Sequence, residues 1–100
     1  MIEIRYVERY KKRKLEISGH ASAGPEGHDL VCAGVSALAI TLKAALDVNG
    51  FKSKSEARDG YMSIRCRDEN AVSVFHTVMC GLEALRAMYP DHIRIELTGA

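Results

Sequence analysis

Apolar residues switch between two spacings along this chain, and that switching most narrows the folds open to it. Ile2, Ile4 and Tyr6 alternate with polar neighbours, as do Leu15 and Ile17, then Met62, Ile64 and Cys66, and finally Ile93, Ile95 and Leu97. A period of two puts each set on one face of a strand and leaves the other face polar. Between them, Val31, Val35, Leu38, Leu42 and Ala45 recur every three or four residues, and Val72, Phe75, Met79, Leu82 and Leu85 do the same. That period gives a helix one apolar side.

Local signals divide these runs into elements. The basic stretch Arg9-Tyr10-Lys11-Lys12-Arg13-Lys14 joins the first two strands and reads as the polar tip of a hairpin. Asp59-Gly60 is a tight-turn dipeptide between the polar run 52–58 and the third alternating set. The first helix is expected from about Asp29 to Val48, stopped by Asn49-Gly50, and the second from about Glu69 to Tyr89, ending before Pro90. The order is then ββαββαβ. Strands that come as hairpins predict an α+β fold, an antiparallel or mixed sheet with two helices packed on one face.

Residues 1–100 form one predicted domain, since a chain this long, 47% hydrophobic, can bury a core without disulfides or a structural metal. Cys32, Cys66 and Cys80 include no CxxC pair and cannot all pair, which fits reduced thiols. No uninterrupted apolar run approaches the roughly 20 residues that cross a bilayer, so a cytoplasmic protein without a membrane partner is expected. The net charge of +1 supplies no overall field to attract nucleic acid.

Chemistry concentrates where the second strand meets the first helix, in Ser18-Gly19-His20-Ala21-Ser22-Ala23-Gly24-Pro25-Glu26-Gly27-His28-Asp29-Leu30-Val31-Cys32-Ala33. Gly19, Gly24, Pro25 and Gly27 resist regular structure and read as a pliable loop over a ligand. Asp29 has the chemistry of a helix N-cap, which would put Cys32 in the first turn, facing unpaired N–H groups and the positive end of the helix dipole. Both favour the thiolate and could steady an oxyanion. Asp29 works against this: a negative charge about 6 Å away disfavours a thiolate by ~0.7 kcal/mol in bulk water. A histidine is the usual activator, and His20, at the end of the second strand, can reach the helix start.

Blander roles compete at each position. A cysteine near a helix start is usually a small half-buried hydrophobe; Cys66 belongs to its strand's apolar face, and Cys80 lies beside Ala84 and Ala87 as packing or interface. His28 is a second candidate base, weakened by its position just before the expected cap. His76 and His92 read as surface residues. Ser36, one turn beyond Cys32, either bonds back to a helix carbonyl or supports the site. His20, His28 and Cys32 would also make three zinc ligands, but no HExxH or paired-cysteine spacing accompanies them.

Taken jointly, Gly19-His20-Ala21, the glycine-bearing spacer to Gly27, Asp29-Leu30-Val31-Cys32-Ala33 and Val35-Ser36-Ala37-Leu38 resemble the ribosomal-processing cysteine protease (Prp) family of Firmicutes and related bacteria. The resemblance implies a homodimeric α+β endopeptidase that removes the N-terminal extension of large-subunit ribosomal protein L27. It implies His20 and Cys32 as catalytic dyad and Asp29 and Ser36 as supporting residues, with Gly19, Gly24, Gly27 and His28 in the loop over substrate. No cofactor, metal or direct nucleic-acid contact is required. The alternative from another class is a non-catalytic ribosome- or RNA-associated binding module, suggested by the basic hairpin and the open polar sheet face.

Overall fold

The computed structural model describes residues 1–19 and 25–99, the side chains of 25–29 excepted. Its elements are β1 (Ile2–Arg9), β2 (Lys12–Gly19), α1 (Pro25–Val48), β3 (Ser53–Arg58), β4 (Tyr61–Cys66), a 3₁₀ turn (Glu69–Ala71), α2 (Val72–Met88) and β5 (Ile93–Gly99). The expected ββαββαβ order is the observed one. The five strands form a single mixed sheet ordered β3-β4-β2-β1-β5. Three pairs are antiparallel, and β5 closes the sheet by running parallel to β1.

Strand alternation decides what lies between sheet and helices. Ile2, Ile4, Tyr6, Leu15, Ile64, Cys66 and Ile93 are buried beneath α1 and α2, which contribute Val31, Val35, Leu42, Leu46, Phe75, Val78, Met79 and Leu82. Phe75 sits at the centre, with its ring centroid 5.9 Å from that of Tyr6. Along α1 the buried stripe is Val31, Val35, Ala39, Leu42 and Leu46, a slight rotation from the expected one, so Leu38 and Ala45 are only half-buried. Leu38 instead packs over Gly81 of α2 and Leu85 packs over Gly34 of α1, so the glycines let the two helices approach closely.

Two sequence expectations change. The first helix begins at Pro25, four residues before Asp29, because proline's missing N–H costs nothing at a first helical position and its φ already suits the helix. The hairpin loop is only Tyr10-Lys11; Arg13 shares the inward face of Leu15 and is 6% exposed. Its Nη1 donates to the Tyr10 carbonyl at 3.4 Å and its Nε lies 4.0 Å from Glu8 Oε1. By length and composition, Leu30–Val48 and Glu69–Met88 are each apolar enough to cross a bilayer, a property that core helices of soluble proteins share. The polar residues that interrupt the apolar runs of these helices lie chiefly on outward faces.

Candidate active site

The end of the sheet where β2 terminates is built by backbone contacts. Gly19 has φ +89, a conformation suited to glycine, and its N–H donates to the Gly60 carbonyl at 2.9 Å. The turn between β3 and β4 is thereby held against the last residue of β2. Beside it, Ile2 N–H donates to the His92 carbonyl at 2.8 Å, anchoring the start of β1.

A cleft of about 230 Å³ opens between this sheet end and α1. Ile2, Ile17 and Met62 give it an apolar floor, Cys32, Val35, Ser36 and Ala39 form the helical wall, and Ala57, Arg58, Gly60 and Tyr61 form the opposite rim. Cys32 is half-buried, packed at the core's margin, whereas Cys66 is buried and Cys80 is exposed on α2. Of the three thiols, Cys32 therefore combines firm positioning with access from a concavity. Ser36, one turn along α1, faces the same cleft and makes no hydrogen bond among the described residues. The back-bond to a helix carbonyl considered for it is made instead by Thr41 and Thr77.

The rim is a linked polar assembly that the sequence did not single out. The Arg58 guanidinium lies 4.0 Å from the Tyr61 ring centroid, and Tyr61 Oη donates to Glu16 Oε2 at 2.6 Å. That bond, with Lys14 and Arg5 nearby, holds the Glu16 carboxyl below the ordinary carboxylate value. The available signal was the flanking of Asp59-Gly60 by Arg58 and Tyr61, which a two-residue turn brings face to face.

The structure brings Gly19, Cys32 and Ser36 to one cleft. His20 and Gly24 lie outside the described residues, and Gly27, His28 and Asp29 are in α1 with side chains outside them. The early helix start overturns Asp29 as N-cap. Cys32 stands seven residues into α1, about 10 Å from its start, where amides are taken up by the helix's own ladder and the dipole effect of the first turn has faded. Unpaired N–H groups and the helix end are thus too far from Cys32 to act on it. Among the described residues no three His, Cys, Asp or Glu side chains converge as metal ligands. A larger cleft of about 810 Å³ lies at the far end of β3 and β4 and is lined chiefly by cations.

Known proteins carry the same framework. The model of the family described as cysteine protease Prp matches residues 1–94. The ribosomal processing cysteine protease Prp of Staphylococcus aureus is 28% identical over 94% of this chain and 94% of its own. Its crystal structure with a covalently linked product peptide superposes with TM-score 0.85 at 27% identity, covering 98% of this chain and all of the other. A second S. aureus Prp structure, in complex with a substrate peptide, gives TM-score 0.83 at 25% identity, with 98% and 100% covered. SMU.848 from Streptococcus mutans gives TM-score 0.77 at 26% identity, covering 100% and 96%. The match in family model, length and fold leads to one conclusion: the chain belongs to the cysteine protease Prp family, the ribosomal-processing cysteine proteases.

Proposed function

We propose that this cysteine protease removes the N-terminal extension of the ribosomal protein L27 precursor, with Cys32 as nucleophile and His20 as general base. The observation that carries the reading is the half-buried Cys32 lining a cleft whose edge is Gly19, the residue immediately before His20. His20 takes the Cys32 Sγ proton as sulfur attacks the scissile carbonyl, then gives it to the departing amine, leaving a thioester. Water adds to the thioester with His20 again accepting a proton, and the acid product leaves as the thiol re-forms. Asp29 and Ser36 support this pair, and Gly24, Gly27 and His28 border the bound peptide. No metal or other cofactor enters the scheme.

A short cleft open at its rim suits an extended peptide, and the S. aureus relative has been solved with a substrate peptide. We further propose a cytoplasmic homodimer joined through the outer helical layer, where Leu30, Ile40, Val48 and Met88 are all more than half exposed. Sedimentation of the wild type and of Ile40→Arg tests the dimer.

Cleavage of the L27 precursor by wild type, Cys32→Ser and Cys80→Ala, followed by mass spectrometry with and without chelator, tests the chemistry. The expected result is chelator-insensitive cutting, lost in Cys32→Ser and kept in Cys80→Ala. Wild-type rates from Cys32→Ser would refute the nucleophile, and loss only with chelator would favour a metal site.

A further inference from the structure

The net charge of +1 conceals a polarised surface. Of 14 Lys and Arg residues, seven ion-pair with carboxylates and seven make no such pair among the described residues. The seven without such a pair divide between the β1–β2 turn (Arg9, Lys11, Lys12) and the β3–β4 pair (Lys52, Lys54, Arg65, Arg67). Strand register gathers both groups at one end of the sheet, the end away from Gly19 and Cys32.

On the face turned away from the helices, Lys14, Arg65 and Lys54 stand directly opposite one another on β2, β4 and β3. Just past the last pairs across these strands, Arg13–Cys66 and Ser53–Cys66, come three more cations, Lys12, Arg67 and Lys52. The first three form a row spaced roughly 4.8 Å from strand to strand, and the other three extend that end of the sheet. Like charges directly opposite on neighbouring strands destabilise a sheet, so the fold itself does not ask for this arrangement. The carboxylates around these cations are engaged chiefly with other groups. Glu16 reaches Lys14 only at 3.7 Å while accepting from Tyr61, Glu56 lies 3.6 Å from Arg58, Asp47 pairs with Lys43, and Asp68 accepts from Asn70 N–H.

Beside these cations stands Tyr10, 97% exposed at the hairpin turn with φ 56, where glycine is the usual occupant. An uncovered aromatic ring held in a strained conformation among Arg9, Lys11 and Lys12 is what a stacking base requires, whereas an acidic peptide has no use for it. The cationic cleft of about 810 Å³, with Phe51 among its lining residues, continues the surface around the β3 edge.

We propose that this end of the sheet docks single-stranded RNA, its phosphates on these six cations and one base stacked on Tyr10, separate from the protease cleft. The inference does not rest on the assignment of Cys32 or on the L27 substrate.

The test is fluorescence anisotropy of the full chain with a short labelled oligouridylate across a salt series. The expected wild-type plot of log affinity against log salt has a slope of about −4, for six phosphates at ~0.7 each. Lys54→Glu/Arg65→Glu should lose at least tenfold in affinity and flatten that slope by about 1.4. Tyr10→Gly, which suits the turn, should weaken binding at least about fivefold without changing the slope. Circular dichroism confirms folding, and Lys54→Ala replaces the double variant if that unfolds. No salt-dependent binding at about 50 mM salt overturns the proposal. So does displacement of RNA by polyglutamate at equal charge together with an inert Tyr10→Gly, which would point to an acidic protein instead.

Discussion

The backbone N–H of Gly19 donates to the Gly60 carbonyl at 2.9 Å, and both glycines hold positive φ. A side chain at Gly19 would be strained by its φ of +89 and would collide with the Met1 carbonyl oxygen. Because Gly19 leads into the segment that follows β2, its backbone sets the edge of the Cys32 cleft.

Gly19→Ala should therefore destabilise the protein by about 1–3 kcal/mol and reduce peptide cleavage. Urea denaturation measures the first effect. Stability and activity equal to wild type would show that the strand end adapts freely.

Two glycines at the helix interface should respond differently to alanine. A methyl group at Gly81 would meet Leu38 Cδ2 at 2.8 Å, whereas one at Gly34 would meet Leu85 Cδ1 at 3.1 Å. Alanine gains about 1 kcal/mol of helix propensity at either site. At Gly34 that gain should offset the crowding to within about 0.5 kcal/mol, and at Gly81 overpacking should win by about 1 kcal/mol. Thermal melts of the two variants decide it.

Glu8 couples stability to acid. Its Oε1 accepts from Tyr6 Oη and lies within hydrogen-bond distance of His76 Nε2, each at 2.7 Å. The Tyr6 bond first and the His76 bond second hold its carboxyl below the ordinary value of 4.5. A carboxylate depressed on folding stabilises fully above its unfolded pKa, and that contribution is lost as pH falls through the lower folded value. Melting temperature should fall more steeply below about pH 4.5 in wild type than in Glu8→Gln. Parallel acid limbs would mean that Glu8 contributes nothing. In Tyr6→Phe, a carboxyl NMR titration should find Glu8 moved upward.

Thiol activation and exposure predict an order of alkylation. Iodoacetamide should label Cys32, if His20 activates it, ahead of the more exposed Cys80, while Cys66, 2% exposed beneath the helices, should react only after unfolding. Peptide mapping reads the order. A bound substrate peptide should protect Cys32 and leave Cys80 unchanged.

Much of the fold was legible because burial is periodic. The alternation of Ile2, Ile4 and Tyr6 and the spacing of Val31, Val35 and Leu42 each leave one way to hide apolar surface, which specifies strand, helix and inward face. The start of α1 was not, because Gly24-Pro25 and Gly27 signal a loop as readily as Pro25 signals a first helical residue. The same ambiguity misassigned Asp29 and the surroundings of Cys32. Gly19, Cys32 and Ser36 were identified as residues, but their shared cleft with Arg58 and Tyr61 was not, since those arrive from a hairpin 22 to 42 residues away in the chain.

The sequence by itself determined the element order, the inward side of most elements and the family, since these follow from period, turn chemistry and a contiguous motif. Tertiary structure alone decided the mixed sheet order, the Gly19–Gly60 bond and the alignment of Lys14, Arg65 and Lys54. Register between strands distant in the chain is set by how whole faces pack, and no local pattern of residues encodes it.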